Sequence, residues 1–198
     1  NPLIGNEQEL TLVQYETKSG SGIPCTDGSV SSGNIAASQK YKADMYIKGI
    51  WFLTGSITDE SGIRKIVYTD SDGKTETFID ITASTPITSH TSVSKLSETA
   101  AWTEESENQP YYNYKINIPV GSTAKDSFGN LTYSIEATEG GKDSTNATTE
   151  RISINYDNKN PAFTGVEFDP SAIYPVDLGQ NTDDVANLDS GNPGTPST

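Results

Sequence analysis

Apolar residues fall at every second position in several separate runs of this chain, the spacing at which side chains on a pleated strand point alternately to two faces. Residues 9–15, ELTLVQY, set Leu10, Leu12 and Gln14 on one side. Residues 49–57, GIWFLTGSI, form the most apolar run, with Trp51 and Leu53 facing one way and Ile50 and Phe52 the other. The runs 63–69, IRKIVYT, and 74–81, KTETFIDI, flank Asp70-Ser71-Asp72-Gly73, whose Asp-Gly pair signals a hairpin. Further along, YYNYKINI at 111–118 aligns Tyr112, Tyr114, Ile116 and Ile118. LTYSIEA at 131–137 aligns Leu131, Tyr133, Ile135 and Ala137, and at 152–156 Ile152, Ile154 and Tyr156 alternate with Ser153 and Asn155. About seven strands and no helical period predict an all-β protein, two antiparallel layers packed as a β-sandwich.

Between these runs lie two long polar stretches. Residues 17–44 are rich in Gly, Ser and Thr and read as a connection, and residues 82–109 hold 12 Ser or Thr in 28 positions and read as a long insertion. The last run stops at Asp157-Asn158-Lys159-Asn160-Pro161, where Asn and Asp favour a turn and Pro161 cannot donate to a sheet ladder. The predicted organisation is therefore a sandwich domain over 1–159 and a C-terminal extension over 160–198. That extension has five of the ten prolines, six acidic residues and no Lys or Arg. Asn1-Pro2-Leu3-Ile4 and Asn160-Pro161-Ala162-Phe163 both open strand-like segments 160 − 1 = 159 residues apart, so the extension also reads as the start of a second repeat.

At 198 residues the chain can bury a core without disulfide or metal support. The single cysteine, Cys25, is expected to be an unpaired, exposed thiol. With 13 basic and 27 acidic residues the net charge is −14, which argues against nucleic acid or an anionic membrane as partner. No window approaches the ~20 apolar residues of a membrane span, so direct insertion into a membrane is not expected. A start at Asn1-Pro2 without Met reads as a fragment or a processed form.

Three segments carry a resemblance. FLTGSITDESGIRKIVYTDSDGK at 52–74 resembles the opening of bacterial immunoglobulin-like and cadherin-like repeats, and YDNKNP at 156–161 resembles the junction between consecutive repeats. DSFGNLTYSI at 126–135 resembles the tyrosine corner of sandwich domains, with Tyr133 in the corner position. Ile135 stands where antibody domains carry a cysteine, which excludes the disulfide-bearing subclass. The resemblance implies an immunoglobulin-like sandwich, a place on the cell surface or outside the cell, and neighbouring domains of the same parent chain as partners.

Candidate chemistry is sparse. The only histidine, His90, lies in the Ser/Thr insertion without a nucleophile motif and is expected to be exposed and functionless. Calcium is the candidate cofactor, because hard cations take six to eight oxygens and sandwich domains offer acidic turns at their ends. Asp59, Asp126 and Asp157 are the candidate ligands, with ordinary Asx turns as the competing reading. Trp102 and Tyr111 are candidates for stacking on a glycan. Asn130-Leu131-Thr132 and Asn146-Ala147-Thr148 fit the glycosylation acceptor pattern. These residues lead us to expect a non-enzymatic extracellular module, a spacer and loop-presenting scaffold of a bacterial adhesin-like protein that meets a host or cell-surface protein or glycan. The alternatives are a carbohydrate-binding module and an accessory domain of a secreted hydrolase.

Overall fold

The computed structural model describes residues 1–5, 10–30, 32–96, 111–141 and 144–161. Eleven strands and no helix occur among them: β1 (Leu3–Ile4), β2 (Thr11–Tyr15), β3 (Ile35–Lys40), β4 (Met45–Ile47), β5 (Gly49–Thr58), β6 (Ile63–Thr69), β7 (Thr75–Asp80), β8 (Val93–Lys95), β9 (Tyr114–Ser122), β10 (Phe128–Glu139) and β11 (Ala147–Asp157). They form two sheets packed as a sandwich. The first runs β3-β2-β5-β9-β8, with β1 added to the end of β5; the second runs β4-β11-β10-β6-β7. Every pair is antiparallel except β4 with β11.

Alternation explains which side chains fill the space between the layers. From the first sheet Leu12, Leu53, Ile57, Tyr114, Ile116 and Ile118 point inward; from the second come Ile66, Phe78, Tyr133, Ile135, Ile152 and Ile154, and all are buried in one core. A fully buried side chain of this size stabilises the fold by about 1.5–3 kcal/mol relative to the exposed state. Tyr68 stacks on Phe78 at 5.3 Å between ring centroids and on Tyr133 at 6.2 Å, tying β6, β7 and β10 together.

The seven expected strands are present as β2, β5, β6, β7, β9, β10 and β11, and four short ones join them. β3 and β8 lie within the two polar stretches, and β1 and β4 are two and three residues long. Their residues alternate weakly or not at all, because each edges a sheet and is fixed by backbone pairing.

Residues 16–30 and 32–34 fold against one half of the first sheet's outer face. Cys25 N–H donates to the Tyr15 carbonyl at 2.7 Å and Ile50 N–H to the Thr26 carbonyl at 2.8 Å. Beneath this cover Val13, Phe52 and Cys25 are buried outside the main core, and Tyr15 meets Phe52 edge-on at 5.1 Å. Cys25 is therefore not the exposed thiol expected: its Sγ–H donates to Asp27 Oδ1 at 2.8 Å, and its sulfur lies 2.9 Å from Ser29 Oγ.

Two polar side chains hold one pole of the sandwich. The Tyr133 hydroxyl accepts the N–H of Gly121 at 2.9 Å, which ties the middle of β10 to the end of β9. Gly121 sits at φ 110°, and a Cβ there would lie 2.3 Å from the Gly49 carbonyl oxygen, so the strand crossing at this point requires glycine. Asn158 accepts the N–H of Gly49 at 2.9 Å and donates to the carbonyls of Ser122 at 2.7 Å and Ala124 at 3.0 Å. One side chain thus joins the end of β11 to the start of β5 and the end of β9.

Candidate functional site

The three acidic residues expected to share a cation do not lie together. Asp126 and Asp157 flank the start of β10 and the end of β11, where Phe128 pairs with Asp157. Asp59 follows β5, at the far end of a ten-residue strand whose first residue, Gly49, is bound to Asn158. Ten residues of strand span about 30 Å, so Asp59 occupies the opposite pole.

Each pole has its own local chemistry. At the Asn158 pole a cavity of about 390 Å³ is lined by Asp27, Lys48, Lys125, Asp126 and Asn158, which mixes both signs of charge. Asp157 Oδ1 accepts the N–H of Lys159 at 3.0 Å, an Asx turn, and Asp126 adopts φ 53°. At the other pole Asp59 Oδ1 accepts the N–H of Ser61 at 2.9 Å, again an Asx turn. Asp59 Oδ2 lies 3.4 Å from the α-amino group of Asn1, and Glu139 Oε2 lies 3.2 Å from the same group. Glu139 takes a hydrogen bond from the Ser144 hydroxyl and one from the Asn146 amide, each at 2.7 Å, and these hold its pKa below the usual carboxylate value. Among the described residues no group of three or more His, Cys, Asp or Glu side chains is placed to hold a metal ion.

The aromatic candidates separate as well. Tyr111 is only 2% exposed and packs in the core, so its ring faces neighbouring side chains instead of solvent. Trp102 lies outside the described residues. The expectation of an exposed His90 is corrected too: its ring stacks on Phe78 at 4.1 Å between centroids, with 13° between planes. His90 Nδ1 accepts the N–H of Ser92 at 3.1 Å, which places the ring proton on Nε2, 3.2 Å from Glu76 Oε1. Both nitrogens are engaged in anchoring the segment that leads into β8.

A further groove is one that sequence reasoning missed. It is a groove of about 760 Å³ on the outer face of the first sheet, in the half that residues 16–30 and 32–34 leave open. Lys40 and Thr54 both lie opposite Thr11, Thr54 lies opposite Asn117, and Lys115 lies opposite both Ser56 and Ser94. These outward positions make two neighbouring polar rows, Lys40-Thr11-Thr54-Asn117 over four strands, about 14 Å across at the usual strand spacing, and Ser56-Lys115-Ser94 over three. The Tyr15 hydroxyl donates to Asn117 Oδ1 at 3.1 Å and marks the boundary with the covered half. Among the described residues no acidic side chain lines the groove. The only sequence signal was the run of hydroxyl residues on the outward positions of β5 and around β8, which alone looks like an ordinary solvated face.

Fold and surface together define an all-β sandwich whose polar features are a groove across one sheet and two hydrogen-bonded poles. No protein-family model, no curated protein and no solved structure matches the chain.

Proposed function

We propose that this protein is a non-enzymatic structural module of a bacterial surface protein, related to the immunoglobulin-like repeats and working in line with neighbouring domains outside the cell. The observation that carries the reading is the position of the two ends of the described sandwich. Asn1 lies beside Asp59 and Glu139 at one pole, and Asn158 leaves β11 at the other. A tension applied through these ends runs along the strands and loads the hydrogen bonds between them in shear, many at once.

The strand order supports the same reading. Taking β2, β5, β9 and β8 as strands A, B, E and D, and β11, β10, β6 and β7 as G, F, C and C′, reproduces the neighbours of an immunoglobulin-like sandwich. The parallel pairing of β4 with β11 ties an early strand to the last one, and Asn155 and Ser153 strengthen it through bonds to the Asp44 carbonyl and carboxylate. Asn158 closes the exit pole, so the end of the last strand is bound to β5 and β9 before the chain departs.

Single-molecule pulling through handles at the two ends of the chain tests this. A single cooperative rupture is expected, at a force lowered by Asn158→Ala. A sandwich that pays out gradually at low force, or a rupture force indifferent to Asn158, would overturn the proposal.

A further inference from the structure

We propose that the outer face of the second sheet binds a neutral glycan where β4, β11 and β10 lie side by side, with Tyr46 as the stacking ring. Among the described tyrosines only Tyr46 is exposed, at 73%, and it has no hydrogen-bond, ring or ionic partner among the described residues. Asn155 stands directly opposite it on β11, and Asn130 stands opposite Asn155 on β10. The alternation that buries Ile47, Ile154 and Tyr133 turns these three side chains to the outer face together.

The floor beside the ring is held by its own bonds. Asn130 Nδ2 donates to Ser153 Oγ at 3.1 Å and to Asn155 Oδ1 at 3.0 Å, and Asn130 Oδ1 accepts the Thr132 hydroxyl at 3.3 Å. Asn155 Nδ2 donates to the Asp44 carbonyl at 2.7 Å, and the Ser153 hydroxyl donates to the Asp44 carboxylate. Asp44 is itself fixed at φ 60°, with its N–H donating to the Ser153 carbonyl at 2.9 Å. These bonds leave one amide hydrogen of Asn155 unused beside lone pairs on Asn130 Oδ1 and Asp44. A sugar hydroxyl, which donates and accepts at once, fits that pairing.

Three properties select the occupant. An exposed ring next to fixed amides offers an apolar face with polar groups at its side, and a pyranose carries the complementary combination of C–H faces and rim hydroxyls. Asp44 is the charged member of the network, and its carboxylate repels an anionic ligand. The row from Tyr46 to Asn130 crosses two strand spacings, about 10 Å, which suits linked sugar rings better than a single one. Phe128, 65% exposed and two residues before Asn130 on the same face, adds an apolar rim. Its ring already carries the Lys159 ammonium at 4.1 Å, so the stacking role falls to Tyr46. Because the floor is held before the ligand arrives, binding orders few side chains.

The test is a nuclear magnetic resonance titration of the full chain with neutral hexasaccharides of glucose, xylose, mannose and N-acetylglucosamine. Oligogalacturonate serves as acidic comparator and oligoproline as peptide comparator. At least one neutral hexasaccharide is expected to bind with a Kd of about 1 mM or tighter. Tyr46→Ala should weaken it by about tenfold or more, whereas Tyr46→Phe, which keeps the ring, should bind like the wild type. Lys74→Ala, in the hairpin between β6 and β7, should leave binding unchanged, and all three variants should keep the wild-type melting transition. Failure of all four sugars to bind, undiminished binding by Tyr46→Ala, or tighter binding of oligogalacturonate would each overturn the proposal. Oligoproline binding as tightly, with the same dependence on Tyr46, would overturn the saccharide assignment in favour of an extended peptide.

Discussion

Tyr133 and Gly121, twelve residues apart, are joined by a hydrogen bond from the Gly121 N–H to the Tyr133 hydroxyl at 2.9 Å. Tyr114 provides the contrast. Its hydroxyl is equally enclosed but has no hydrogen-bond partner among the described residues, and burial pushes its pKa up to about 12. The same substitution should therefore act differently at the two sites. Tyr133→Phe strands the Gly121 N–H and is expected to cost about 1–2 kcal/mol, whereas Tyr114→Phe removes an unsatisfied group and should leave stability unchanged or raised. Chemical denaturation of both variants checks this, and equal losses would contradict it.

Asn158 is the second structural pin. Asn158→Ala removes an acceptor for Gly49 and donors to Ser122 and Ala124, and a loss of about 1–3 kcal/mol is expected. Asn158→Asp keeps the bond to Gly49 and should fall between wild type and alanine. The readout is the urea midpoint at constant slope, since a changed slope would signal altered compactness instead.

These residues illustrate what could be read from the chain beforehand. Alternation over 131–137 and 152–156 located β10 and β11 and their inward faces, because a buried face constrains every second side chain. Tyr133 was legible as an inward-facing residue because alternation depends only on its neighbours along the strand. Asn158 was not, although the turn it belongs to was: its partners lie 109 and 36 residues away along the chain. The separation of Asp59 from Asp126 and Asp157 was hidden for the same reason, since strand ends are assigned to poles only once the strand order is known. Cys25 and Tyr111 reflect a different limit. Polar neighbours in sequence suggested exposure for Cys25, and a long polar insertion before Tyr111 suggested an accessible ring. Burial is decided by the sheet on which each segment lands.

Glu16 holds the covering segment in place. Its carboxylate accepts the N–H groups of Gly20 at 2.7 Å and Gly22 at 3.0 Å and the Asn34 amide at 3.3 Å. Glu16→Ala should loosen residues 16–30 and expose Cys25 to thiol reagents. The rate of Cys25 labelling is expected to rise several-fold, with the main melting transition still present. An unchanged rate would mean that the cover does not depend on Glu16.

Acid should destabilise the fold through the same local bonds. Asp27 is lowered from 3.8 to about 2, first by the Cys25 thiol and then by Ser29. Glu16 is lowered from 4.5 by Gly20 and Gly22, and Glu139 from 4.5 by Ser144 and Asn146. Carboxylates with folded values below their unfolded ones stabilise the protein above the unfolded pKa, and that contribution disappears as pH falls through the folded value. The melting temperature should thus be level above pH about 5 and decline toward pH about 2. Relief of the repulsion from 14 excess negative charges acts in the opposite sense. A melting temperature that climbs steadily down to pH about 3 would show that repulsion outweighs the local bonds.

The opposed poles of a rigid sandwich are the central claim, and a distance between them tests it most directly. Spin labels at Glu60→Cys and Lys125→Cys, in a Cys25→Ser background, report the separation of the two poles by pulsed electron resonance. One narrow distribution centred at roughly 30–35 Å is expected from the length of β5 and its flanking turns. A distribution centred below about 20 Å, which strand geometry forbids for opposite poles, or one spread across the whole range, would contradict the account.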